Sequence, residues 1–208
     1  MTVKSIAFQR KTSQQRRQEL IEAGIVCLGK GGMSAFTIDQ ICRQASVSRG
    51  LINHHFKTKE DLLVCIYAQM TEYLVRDSSG KSPRQQVTGF IDASFDKNSF
   101  NKSNLRAWLA IWGEVATNDK LKSLHQGRYR KYKQQLASAL SSIGKSGSST
   151  IDAEHIARQL IALIDGLWLE YCLHSEGFSL AAAKADCYQF LQSQGVIIEA
   201  DNQSYLDT

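Results

Sequence analysis

The sequence predicts an all-α protein, and three observations carry that prediction. Only one proline, Pro83, stands among 208 residues, and the interior of a helix tolerates proline badly. Apolar residues recur at spacings of three and four along most of the chain, the period of an amphipathic helix. No run of alternating β-branched residues marks a strand. A hydrophobic share of 43% is ordinary for a globular chain with a core of its own. Start and stop signals divide the chain into about nine helices.

Residues 1–12 are polar and basic, with Arg10 and Lys11, and read as a loose arm. Ser13 can cap a first helix to about Lys30, with Leu20, Ala23, Gly24, Cys27 and Leu28 on its inner face. Gly31-Gly32 ends it, glycine being the residue that accepts a left-handed helix terminus. Thr37 opens a second helix in a capping box with Gln40. Ile38, Ile41, Cys42 and Ala45 are its apolar stripe. Ser46-Val47-Ser48 breaks the period, and Ser48 is a suitable cap for a third helix from Arg49 to about His55. Val47, Ile52 and Phe56 anchor that helix inward. Outward it leaves Arg49, Gly50, Asn53 and His54, donors with little bulk. Two short helices joined this way form a helix-turn-helix, which lays its second helix in a major groove of DNA.

Thr58 and Asp61 cap a fourth helix, whose face of Leu62, Cys65, Ile66, Gln69, Met70, Tyr73 and Leu74 links head to body. Residues 77–82 are a loop. Ser82-Pro83-Arg84-Gln85 starts a fifth helix, with proline at its preferred first position, running to about Phe95. After a polar loop over 96–103, a helix of about 104–117 carries Leu105, Trp108, Leu109, Trp112 and Val115. Asn118 caps a longer one to about Ser142, which holds the basic run 128–133. Residues 144–149 are a flexible connector. The helix of about 152–174 is apolar on more than one side and must be buried on several faces. Ser179 caps the last helix to about Gln194, Gly195 stops it, and a loose tail follows.

The five cysteines (Cys27, Cys42, Cys65, Cys172, Cys187) are odd in number, widely spaced and form no CxxC, so they read as reduced, buried thiols. That pattern belongs to a reducing cytoplasm. The N-terminus lacks the apolar core of a secretory signal, and no apolar run reaches membrane-spanning length. A soluble cytoplasmic protein without a membrane partner is expected. The net charge of +5 lies entirely in residues 1–61, with ten Lys or Arg against five Asp or Glu; residues 62–208 hold fifteen of each. The segment with the helix-turn-helix thus carries the electrostatic footprint for phosphates, and the body is neutral. A non-specific architectural DNA binder would spread basic charge over the body, so that class is disfavoured. Enzyme signatures are lacking: the five histidines form no HExxH, and neither a GxSxG nor a phosphate-cradling glycine loop occurs. No catalytic residue, metal site or cofactor is expected.

Val47-Ser48-Arg49-Gly50 and His54-His55-Phe56-Lys57-Thr58-Lys59, closed by Leu62, resemble the head of the TetR family of bacterial repressors. The motif covers about a quarter of the chain and is fairly specific. Two positions depart from the pattern. Ser46 stands where the family usually has a turn glycine, and Asn53 replaces the common aromatic phosphate contact. In the body, residues 107–112 and 162–169 resemble the choline-responsive BetI-type repressors. The resemblance implies a DNA-binding head over residues 1–61 and a ligand-binding, dimerising body over 62–208. It implies phosphate contacts from Thr37, Ser48, His54, His55 and Lys59. The side-chain chemistry adds guanine readout by Arg49, adenine readout by Asn53 and close backbone approach at Gly50. His55 has a second reading, packing inward. The arm before the first helix either reaches a neighbouring groove or hangs free.

The family solution to specificity is a homodimer on a palindromic operator. The helix at 152–174 and the final helix are its natural surface, with Leu160, Ile164, Leu167, Tyr171 and Phe190 either in the interface or in the internal core. Trp108 and Trp112 share one helix face, and Asp165 and Trp168 share another. A carboxylate inside so apolar a helix is costly to bury unpaired. Two readings follow. Either the three tryptophans are ordinary core and Asp165 pairs with Arg106 or Arg158, or they form an aromatic cage for a quaternary ammonium inducer such as choline. Phe95, Glu114 and Tyr73 are further candidates for its walls. The competing ligand class is a larger apolar or drug-like molecule, as in efflux regulators. Activation in place of repression stays open, because the sign depends on where the operator lies.

Overall fold

The computed structural model describes residues 12–75, 80–97, 100–145 and 152–198. Among the described residues it contains nine α-helices and no strand. The arm at 1–11, most of the loop after 75, the connector after 145 and the tail from 199 lie outside the described residues.

Helix α1 (Ser13–Ala35) is capped by Thr12 and not by Ser13: the Thr12 hydroxyl accepts from the Gln15 amide, and the Gln15 side chain returns to the Thr12 amide. The capping box sits one residue earlier because Gln15 supplies its return acceptor. At Gly31 and Gly32 the helix kinks, with Gly32 at φ 61°, a conformation glycine adopts without a Cβ clash. The helical turn resumes as far as Ala35. Helix α2 (Ile38–Ala45) has Thr37 as its cap, its hydroxyl accepting from the Gln40 amide at 3.2 Å. Ser46 ends α2 in the left-handed region at φ 54° and is the one non-glycine residue there among those described. Helix α3 (Arg49–His55) follows. Ser48 occupies its cap position but makes no capping hydrogen bond. Ile52 and Phe56 enter the core beside Leu20, Phe36, Ile41 and Leu62.

Helix α4 (Lys59–Met70) begins with the reciprocal Thr58–Asp61 box. It stops short of the expected Leu74. The buried Thr71 hydroxyl bonds back to the Tyr67 carbonyl at 2.6 Å, competing with the helical ladder, and a 3₁₀ turn at Glu72–Val75 replaces the last stretch. Helices α5 (Pro83–Ser94), α6 (Lys102–Val115), α7 (Asp119–Lys145), α8 (Ala153–Leu173) and α9 (Leu180–Ser193) form the body. Their caps are Ser82, Asn101, Asn118, Asp152 and Ser179. Gly144 is helical rather than part of the connector.

Head and body share one continuous core. α1 lies along α6, α7 packs on α5 and α8, and α9 covers α8. The α1–α6 crossing is close because position 29 is glycine: a Cβ there would sit 2.2 Å from Ser103 Oγ and 2.5 Å from the Ser103 carbonyl oxygen.

Candidate nucleic-acid interface and ligand cavity

Thr37, Ser48, Arg49, Gly50, Asn53, His54 and Lys59 are all exposed on the head, and His55 is half-buried. The sequence places them there because α2 and α3 bury Ile41, Cys42 and Ile52 on their opposite sides. Several keep unspent donors. Ser48 makes no cap bond, and the Thr37 hydroxyl, which accepts from Gln40, still has its proton to give. Lys59 opens α4, its ammonium 5.8 Å from the Phe36 ring centroid. His54 and His55 meet edge to face at 5.1 Å. Burial, the neighbouring His54 and Arg17 lower the His55 pKa, so near neutral pH it is a neutral donor and not a fixed cation. The Arg49 guanidinium is engaged by the Asp39 carboxylate through an ion pair and hydrogen bond, a partner that sequence reading did not supply. Arg17 of α1 braces the far side of α3, its guanidinium 4.9 Å over the Phe56 ring.

Behind the head, α4 to α8 enclose a cavity with room for about 40 Å³. Trp108, Trp112, Trp168 and Asp165 all line it, as does Tyr73. Trp108 is the hub: its ring lies 5.7 Å from Trp112, 5.6 Å from Trp168 and edge-on to Tyr67 at 5.8 Å. The Trp168 indole N–H donates to the Ser94 carbonyl at 3.0 Å, which fixes the ring. Tyr67, His125, Tyr129 and Tyr132 also line it, with the Tyr67 hydroxyl 2.7 Å from His125 Nδ1. These four were missed in the sequence. His125, Tyr129 and Tyr132 fall at i, i+4 and i+7, a helical stripe that the surrounding basic residues masked. Phe95 and Glu114 do not line the cavity. Phe95 is buried at the end of α5 against Phe100, 5.5 Å away. Glu114 lies two residues beyond Trp112, and such neighbours point to different sides of a helix.

Asp165 is half-buried, and among the described residues no hydrogen bond or ion pair reaches it. Arg158, one of its expected partners, bonds His155 at 3.0 Å. Burial pushes the Asp165 pKa up to about 6, so at neutral pH the cavity holds a carboxylate that has no counter-ion among the described residues.

Head and body also meet at a polar junction. The Asn118 amide donates to Glu60 at 2.7 Å, and the Lys120 ammonium lies 2.8 Å from Glu60 and 3.2 Å from Asp61. The start of α7 is thereby tied to the first turn of α4.

Residues 20–65 match the model of bacterial regulatory proteins of the tetR family, and residues 83–195 match that of the BetI-type transcriptional repressor C-terminal region. The chain belongs to the TetR family. Among curated relatives it is 32% identical over 177 residues to the HTH-type transcriptional regulator BetI of Serratia proteamaculans, covering 82% of this chain and 87% of that one. It is 31% identical to BetI 1 of Chromohalobacter salexigens, covering 86% and 90%. Among solved structures, a candidate transcriptional regulator from Pseudomonas aeruginosa PAO1 aligns with a TM-score of 0.74 at 31% identity, covering 90% and 94%. One from Saccharomonospora viridis, solved in complex with choline, aligns with a TM-score of 0.74 at 21% identity, covering 86% and 96%. This TetR-family protein is therefore a helix-turn-helix transcriptional repressor with a BetI-type body, and it is not an enzyme. Among its described residues no helix is long and apolar enough to cross a membrane.

Proposed function

We propose that this repressor binds a palindromic operator as a homodimer and is released from it by a quaternary ammonium ion held in the aromatic cavity. The observation that carries the ligand reading is Asp165, a half-buried carboxylate without a counter-ion among the described residues, in a space walled by three tryptophans. A desolvated cation against aromatic faces gains about 2 kcal/mol or more, and the carboxylate supplies the opposite charge. The choline held by the Saccharomonospora viridis relative supports the same chemistry here. In this reading residues 1–61 hold the DNA contacts, from Thr37, Ser48, Arg49, Gly50, Asn53, His54, His55 and Lys59, and residues 62–208 hold the ligand and the dimer surface.

Leu160, Ile164 and Leu167 face the protomer's own core, so they are unavailable to a partner. The outward stripe of α8 is instead Ala162, Gly166, Leu169 and Leu173, with Leu169 42% and Leu173 63% exposed. Small residues beside exposed leucines suit the close crossing of a four-helix interface between two copies. Ligand against Trp108 and Trp112 of α6 and Tyr129 of α7 displaces helices that touch α1 and α4, and this moves the paired heads out of register with the grooves. Coupling on the usual allosteric scale of about 1–3 kcal/mol suffices for release.

The test is selection of DNA sites with purified protein, with and without choline, alongside titration of choline and a lipophilic cation against tryptophan fluorescence. A palindromic site lost on adding choline supports the proposal. A site lost only with the lipophilic cation transfers the role to a drug-like ligand. A monomer by light scattering at micromolar concentration overturns the dimer.

A further inference from the structure

The aromatic cavity has a larger neighbour. A groove of about 620 Å³ lies against it, and Tyr73, Ser94, Trp108 and Trp168 line both spaces. The inner space, at about 40 Å³, compares with about 10–15 Å³ for one water, so it admits a compact head group and nothing longer. Beyond the shared residues, apolar surface of the groove comes from Ile25, Met70, Phe100 and Leu105, beside the Gln69 and Asn104 amides and the Glu72, Asp92 and Asp96 carboxylates. Among the described residues no lysine or arginine lines either space. The ammonium of Lys184 is bonded to Asp92 of the groove at 2.9 Å.

We propose that the groove is a second subsite, receiving a neutral and partly apolar arm carried by the ammonium head in the inner cavity. This rests on the cation reading of that cavity. A head seated against Trp108 and Trp168 leaves its substituent to emerge past Tyr73 into the groove. An apolar arm buries surface there and tightens binding. An anionic arm gives up its hydration for walls that, among the described residues, offer no lysine or arginine and present Glu72 and Asp96, so it is rejected. The inducer class is then a quaternary ammonium with a neutral extension, such as an ester or longer alkyl chain. The arm also touches Ile25 of α1, so it reaches the first helix of the DNA-binding head directly.

The experiment titrates the full chain, by tryptophan fluorescence, with tetramethylammonium, choline, butyrylcholine and phosphocholine. Butyrylcholine is expected to bind about tenfold more tightly than tetramethylammonium, and phosphocholine about tenfold more weakly than choline. Ala93→Phe fills the groove from a half-buried position outside the inner lining. It should remove the advantage of butyrylcholine and leave tetramethylammonium binding unchanged. Glu72→Lys, at an exposed position, should recover phosphocholine binding. Affinities within about threefold of one another for all four, or equal loss of both cations in Ala93→Phe, overturn the groove subsite while leaving the cation cavity in place. Binding of none of the four overturns the cavity reading and the subsite with it.

Discussion

The proposed reading face of the head draws its side chains from residues 37–59, one short stretch of chain, whereas the cavity collects Tyr67, Ser94, Trp108, His125 and Asp165 from five different helices. The first is exposed except at His55, and apart from the Thr37 cap and the Arg49–Asp39 pair its side chains take little part in holding the fold. The second is buried, and most of its members also hold the core together. A surface of the first kind can change its specificity at little cost to the fold. A cavity of the second kind is constrained twice, by packing and by ligand. Asp165 is the exception within the cavity, because in the proposed reading it serves binding while its burial works against stability.

Replacing Asp165 gives the largest expected effect. Asp165→Asn should lower affinity for tetramethylammonium by about thirtyfold, the equivalent of about 2 kcal/mol. The same change should stabilise the ligand-free protein at pH 7 by about 1–3 kcal/mol. The sign follows from the raised pKa of about 6: the folded state holds this proton more tightly than the unfolded chain does. The ligand-free protein therefore gains stability as pH falls from about 6 towards 4, and cation affinity falls over the same window. Urea titrations and fluorescence titrations at pH 5 and 7 check both halves. A mutant that is less stable and still binds the cation would make Asp165 ordinary core.

On the exposed face, Arg49→Ala is expected to cost about 1–3 kcal/mol at one base position and to relax preference there, with no change in melting temperature. Selected-site sequencing reads this directly. Because the Asp39 carboxylate holds the guanidinium in the free protein, part of the gain on DNA goes into exchanging that partner, which places the value in the lower half of the range. An unchanged site preference removes Arg49 from the readout.

The same contrast explains how much was legible beforehand. The helix-turn-helix could be read because every signal for it is local: the Thr37 cap, the Ile41–Ile52–Phe56 anchors and the exposed donors lie within one stretch. Trp108, Trp112, Asp165 and Trp168 could be read because a carboxylate and three indoles stand out on apolar helices. Tyr67 and Tyr132 could not, since nothing in α4 or α7 alone says that both turn towards α8. Phe95 misled because its position after α5 left its direction open, and the core around Phe100 decided it. The outward side of α8 was unreadable for the related reason that a helix apolar all round does not declare which side its own protomer covers.

A smaller effect sharpens the turn of the head. Ser46 holds φ 54°, where a side chain crowds the following carbonyl at about 1–2 kcal/mol. Ser46→Gly removes that strain but gives the unfolded chain more freedom, so a net stabilisation of about 0.5–1 kcal/mol is expected, visible as a rise of about 1–4 °C in melting temperature. Operator selection should be unaltered, because the backbone already occupies the conformation glycine prefers. A shift in site preference would show that the Ser46 side chain takes part in reading DNA.

The smallest energetic effect concerns the junction between the two regions. Lys120 is 57% exposed and its partners Glu60 and Asp61 are 38% and 35% exposed, so solvent and salt screen these pairs and they add little to stability. Their position matters more than their strength. Lys120 and Asn118 begin the helix whose His125, Tyr129 and Tyr132 line the cavity, and Glu60 and Asp61 follow Lys59 at the start of α4. Lys120→Ala should therefore leave melting temperature and tetramethylammonium affinity unchanged, while the ratio of operator affinities without and with the cation falls severalfold. Raising the salt concentration should reduce that ratio in the parent protein and much less in the variant, because the screened contact is already missing. Operator binding measured by fluorescence anisotropy across a salt series decides it. An equal ratio in the two proteins at low salt would mean that the ligand acts on the head through the α1–α6 crossing at Gly29 and Ser103, where the contact is steric and salt has no hold on it.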